Sequence, residues 1–139
     1  MKKLTLELTL EQAEALTRML DLAMRMHLCQ FAEIEMLARM HVIRNRDGEI
    51  PSRDDLDALK AYFDGAARVL GFSAGASHGI GSKNVHDEAK RGYEIMKVVQ
   101  KVLAYERNHN PSFKGVHYDG LIVRYTNEPA PVATLEEIA

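Results

Sequence analysis

The chain has 139 residues and a mass of 15.6 kDa, a length that suits one compact domain and removes roughly 68% of its unfolded surface from water. Eighteen Lys and Arg against twenty Asp and Glu leave a net charge of −2, so no global field draws the protein onto DNA, RNA or an anionic membrane. A 46% hydrophobic, 27% charged composition is that of a globular protein, and seven Met with no Trp point to an aliphatic, adaptable core.

Met1-Lys2-Lys3 resembles the start of a signal peptide, but residues 4–10 contain Glu7 and two threonines and lead to no small-residue cleavage site. The alternation of Leu4, Leu6 and Leu8 with polar residues predicts a short N-terminal strand instead. Thr9 opens a T-x-x-Q capping box with Gln12, and Leu10, Ala13, Leu16, Leu20 and Ala23 follow at helical spacing, which predicts a helix over about 10–26. The stripe resumes as Leu28, Phe31, Ile34, Leu37 and Val42, so that either one helix kinks near His27 or a second begins there. Cys29, the single cysteine, excludes an intrachain disulfide and fits a reducing, cytoplasmic setting.

The run 45–51 is dense in turn formers, after which Ser52 and Asp55 reopen a helix with Leu56, Leu59, Phe63, Ala67 and Leu70 inward and Gly71 as its stop. Residues 71–84 form a loop of small residues. A last long helix is predicted over about 86–107, with Asp87 and Glu88 in its first turn, Arg107 in its last, and Ala89, Tyr93, Met96, Val99 and Leu103 buried. Beyond Pro111 a hairpin is expected around Asp119-Gly120, followed by an extended tail over about 126–139 suited to docking on another chain. The whole reads as a mostly helical α+β protein, one domain over 1–139. No apolar run approaches the ~18 residues of a membrane helix.

Gly75, Gly79 and Gly81, with Ser77, Ser82, Lys83 and Asn84, are the materials of a phosphate-binding loop, whose backbone amides would converge on an anion. The loop is neither of the usual kinds. In Gly81-Ser82-Lys83 the serine precedes the lysine, and Asn84 stands where a dinucleotide fingerprint has its third glycine. Asp87 and Glu88 would repel a phosphate seated squarely on the next helix, leaving the loop amides and Lys83; a flexible connection between helices accounts for the same residues. None of the six histidines has a metal-ligand spacing, Cys29 reads as a buried small hydrophobe, and the serines lack a nucleophile frame, so neither metal, cofactor nor enzymatic turnover is expected.

Arg107 suits bidentate phosphate contact and Tyr105 offers a stacking face, although a cation at a helix C-terminus also serves its own dipole. From Lys83 to Arg107 along a helix is ~36 Å, so one small ligand touching both would have to be shared by two chains.

Leu20-Asp21-Leu22 through Gln30-Phe31-Ala32-Glu33-Ile34 resembles a recurring ALDLYSR…GQFEEI pattern. Ala76-Ser77-His78-Gly79-Ile80, Asp87-Glu88-Ala89-Lys90, Tyr93-Glu94-Ile95 and Leu103 to Asn108 are similar to ASYGI…PDEAK…YDI…LAWDRN, and Glu128 to Pro131 to a Glu-Pro-Leu-Pro finish. The pattern is that of the phage anti-Thoeris sponges, which sequester cyclic ADP-ribose-type immune signals in the infected host cell, some members also taking up cyclic oligonucleotides. The resemblance implies dimers or hexamers with inter-chain pockets and no turnover of the ligand. His78 stands where that pattern has Tyr, Tyr105 where it has Trp, and Gln100 and Val102 where arginines are usual, which leaves a highly charged ligand fewer partners. The candidate ligand-binding residues are Phe72, Ser77, His78, Lys83, Asn84, Tyr105 and Arg107. A competing reading makes the chain a protein-binding inhibitor or helical assembly factor acting on a host protein.

Overall fold

The structure, a computed structural model, describes residues 1–138. Four helices carry it: α1 (Leu10–His27), α2 (Ala32–Arg39), α3 (Arg53–Val69) and α4 (Asp87–Arg107). Strands β1 (Ser112–Phe113) and β2 (Val116–His117) pair antiparallel, Ser112 opposite His117 and Phe113 opposite Val116, and a 3-10 turn covers Tyr118–Leu121. The architecture is mostly helical α+β. No helix is long and apolar enough to cross a membrane among the described residues.

Local chemistry sets the helix ends. The Thr9 amide donates to Gln12 Oε1 at 2.9 Å and the Gln12 amide to Thr9 Oγ1 at 3.2 Å, closing the capping box that starts α1. Ser52 Oγ accepts from the Asp55 amide at the start of α3. At its end Gly71 turns left-handed with φ +90°, and the Gly71 and Phe72 amides return to the carbonyls of Arg68 and Ala67, the two bonds of a Schellman motif. Helix α4 is capped by a histidine, whose Nδ1 accepts the Glu88 amide at 3.2 Å.

The contacts group the chain into two compact units. One comprises Met1–Met24 and the chain from His86 onward; the other is Arg25–Val85. In the first, Thr17 and Met24 of α1 and Ala89, Met96 and Leu103 of α4 are buried, and a Cβ at Gly92 would sit 3.8 Å from Leu20, an ordinary contact. In the second, Leu28, Ala38, Leu56 and Val85 are buried and α2 packs on α3. Arg39 ties those helices by pairing with Glu35, itself buried, and with Asp57 at 3.2 Å.

Some expectations are corrected. Residues 1–9 form no strand: Leu4 is 91% exposed and its alternation finds no partner edge. The buried face of α1 includes Thr17 and Met24, whereas Leu10 and Ala23 are exposed, as are Val42 and Leu70. Thr17 is accommodated because its hydroxyl donates to the Glu14 carbonyl at 2.8 Å. The helical stripe through His27 is two helices, broken at Cys29, whose φ of +63° no helix accepts. The hairpin turns at Lys114-Gly115, φ +48° and +78°, the pair of left-handed residues a type I′ turn requires, while Asp119-Gly120 lies in the 3-10 turn.

Candidate functional site

Phe72, Ser77 and His78 lie together on the loop that follows α3. The loop is pinned to the α1–α2 turn by two bonds: the His78 amide donates to the Leu28 carbonyl at 3.0 Å, and Gln30 Nε2 donates to Ser77 Oγ at 3.2 Å. Gln30 is itself oriented, because its Oε1 accepts from Arg25 at 2.9 Å, and Glu33 lies 3.9 Å from the same guanidinium. The left-handed Cys29 reverses the chain so that Gln30 faces this way, its amide bonding back to the Arg25 carbonyl at 2.9 Å. Phe72 meets the His78 ring edge-on, with centroids 4.8 Å apart, which fixes the imidazole's plane.

The rest of the loop is a succession of tight turns and no single amide cradle. The amides of Ala76, Ser82 and Val85 bond to the carbonyls of Ser73, Gly79 and Ser82, and the Asn84 amide bonds to Ser82 Oγ. Of Gly75, Gly79 and Gly81 only Gly75 takes a left-handed φ. Anion contact on this loop therefore falls to side chains. Lys83 and Asn84 are exposed, and Lys83 makes no ion pair among the described residues.

Tyr105 and Arg107 belong to the other unit, at the C-terminal end of α4. Arg107 pairs with Glu14 of α1, and Arg18 lies 3.7 Å from the same carboxylate. The Arg107 side chain is 63% exposed, so this pair is weakly held and exchangeable. Tyr105 has neighbours that sequence reasoning missed. Its hydroxyl lies 2.9 Å from His117 Nε2, the two rings meet at 5.9 Å, and Lys101 Nζ sits 5.9 Å from the Tyr105 ring centroid. His117 Nδ1 accepts the Asp119 amide at 3.3 Å and lies 3.5 Å from the Asp119 carboxylate. Asp119 pairs with Lys101, and that bond holds its carboxyl below the ordinary aspartate value and the ammonium above its own.

No family model, curated protein or solved structure matches this chain.

The most buried ionisable group in the same unit as Tyr105 is Glu94, 4% exposed on α4. Burial pushes its carboxyl upward, but the Thr126 and Tyr125 amides at 2.7 Å, Thr126 Oγ1 at 2.8 Å and the charge of Arg124 outweigh that and hold it below the usual glutamate value. Arg91 donates to Glu128 at 2.5 Å, and the Tyr93 hydroxyl donates to the Leu121 carbonyl at 3.2 Å. Burial, with Tyr125 beside it, raises the Tyr93 phenol. The start of the tail, as far as Pro131, thus runs along its own α4, where Arg91, Glu94, Ile95, Glu128, Pro129 and Pro131 line a shallow groove, while Val132 and Ile138 beyond it are exposed. Among the described residues no group of three or more His, Cys, Asp or Glu is placed to hold a metal ion.

Proposed function

We propose that this chain is a phage-type anti-defence protein that binds a small nucleotide-derived immune signal, a cyclic ADP-ribose isomer or a cyclic oligonucleotide, and withholds it without cleavage. The observation that carries the reading is the junction at Gln30, Ser77 and His78. The two sequence segments on which the anti-Thoeris resemblance rests touch each other there, through Gln30–Ser77 and Leu28–His78. The chemistry suits capture: a ring pair whose plane is fixed, with an exposed ammonium and amide at Lys83 and Asn84. Tyr105 and Arg107 supply a second aromatic and cation, and pockets completed by a further copy of the chain would let both sets meet one ligand in the cytoplasm of the infected cell. Arg107 exchanges its exposed carboxylate partner for a phosphate at little cost.

Isothermal titration with cyclic ADP-ribose isomers and with cyclic di- and trinucleotides tests this, each followed by denaturation and recovery of the ligand. Saturable binding with intact ligand recovered, weakened by His78→Ala and by Arg107→Ala, is the expected result. Failure of every ligand to bind defeats the proposal, and recovery of hydrolysed product makes the protein an enzyme. A second reading, inhibition of a host protein, is favoured by Met36, Met40 and Val42, all exposed around the end of α2, since flexible methionines suit adaptable protein surfaces. Under it Arg107→Ala changes nothing.

A further inference from the structure

Helix α3 is apolar beyond its buried face. Leu56, Leu59, Phe63 and Ala67 are buried or half-buried, and Ala58, Tyr62, Gly65 and Val69 fall within a separate arc of about 60° centred about 135° further round, at 100° per residue. That second stripe has nothing over it: Tyr62 is 77% exposed and Val69 85%, and a Cβ built on Gly65 meets no atom within 4 Å. An isolated surface apolar residue needs no account, but four in register along one helix form the seam of a helix pair.

We propose that this stripe joins two copies of the chain, α3 against α3 in antiparallel orientation about a two-fold axis. The size pattern selects that arrangement. With the axis midway between residues 63 and 64, Tyr62 faces the partner's Gly65 and Val69 faces the partner's Ala58, so each large side chain meets a small one. A parallel pairing would set Tyr62 against the partner's Tyr62. The flanking charges select it too. Asp57 and Arg68 stand on the same edge of the stripe, and the antiparallel register brings Asp57 within about two residues, ~3 Å along the axis, of the partner's Arg68. Arg68 has no ion-pair partner among the described residues, and Asp57, which meets Arg39 at 3.2 Å, keeps a side chain 60% exposed for a second cation. The seam stands apart from ligand capture, since none of the candidate ligand-binding residues lies on it.

A single helix pair is at the small end of specific interfaces, so association is read by sedimentation equilibrium of the full chain from about 5 to 500 μM. A concentration-dependent monomer–dimer equilibrium is expected. Gly65→Trp, whose Cβ meets no atom of its own chain within 4 Å, and Tyr62→Glu are each expected to raise the dimer dissociation constant at least thirtyfold, with circular dichroism unchanged. Arg68→Glu, a surface change that cannot unfold the helix, weakens it about threefold to tenfold, and raised salt weakens the wild type. A wild type that stays monomeric throughout overturns the proposal. So does a dimer that Gly65→Trp and Arg68→Glu leave intact, whatever the ligand titrations give.

Discussion

Removing the carboxylate of Glu94 should release the C-terminal tail from α4. Glu94→Ala deletes the acceptor of three bonds, from the Tyr125 amide, the Thr126 amide and Thr126 Oγ1. Bonds to a charged acceptor contribute about 1.5–3 kcal/mol each at most, but a surface segment that detaches recovers them from water, so the loss is bounded by the tail's own docking energy, about 2–3 kcal/mol in all. Glu94→Gln keeps one oxygen for the two amides and an NH2 that can donate to the threonine hydroxyl; it forfeits the charge and should lose about half as much. The sign of the pH effect follows from the depressed carboxyl. Its contribution is complete above the unfolded glutamate value, about 4.3, and disappears as pH falls through the lower folded value, so the wild type loosens its tail in acid and Glu94→Ala shows no such step. Urea unfolding gives the stability difference, and amide hydrogen exchange at Tyr125 and Thr126 locates it. If Glu94→Ala unfolds within 0.5 kcal/mol of the wild type, well under the ~1 kcal/mol of one ordinary bond, and both amides stay protected, the carboxylate clamp does not hold the tail.

Three further outcomes follow from the geometry. Thr9→Ala breaks the capping box of α1 and should cost about 1 kcal/mol in urea, with a loss under a few tenths meaning that α1 is held by packing alone. Lys114→Asn places the favoured Asn-Gly pair in the type I′ turn and should raise the thermal midpoint by a degree or two, about 0.3 kcal/mol; a lower midpoint would show that the turn is held for another reason. Gln30→Ala unties Ser77 and should speed exchange of the His78 amide and weaken signal capture roughly tenfold, the worth of one hydrogen bond, whereas unchanged affinity would remove this junction from the binding site.

The helices were legible because their ends are written locally. Thr9 with Gln12, Ser52 with Asp55 and Gly71 each act within three or four residues, and each does in the structure what its spacing predicts. Patterns that need a distant partner were not legible. Leu4, Leu6 and Leu8 alternate as a strand should, but alternation cannot supply the second strand. Asp119-Gly120 is a turn signal, but the chain reverses five residues earlier at Lys114-Gly115, and Asp119-Gly120 joins a 3-10 turn that His117 caps by accepting the Asp119 amide. Glu94 lies about 140° around α4 from Ala89 and reads as solvated charge, because the segment that buries it arrives 31 residues later. For the candidate site, Ser77 and His78 stand out in the sequence as candidates but their anchor does not: Gln30 is 47 residues from Ser77, and the left-handed Cys29 turns it toward the loop.

The division into units bears on the order in which the chain acquires structure. Residues 25–85 are continuous, so α2, α3 and the pinned loop can organise as soon as that stretch exists. The other unit is built from the two ends of the chain: α1 finds Gly92 and Arg107 only after the whole middle has been made, and closing so long an excursion slows the step. During synthesis α1 therefore waits, its apolar face uncovered, and the tail on Glu94 is the final piece to settle. A chain truncated after residue 85 would display the middle unit folded beside an unpartnered first helix.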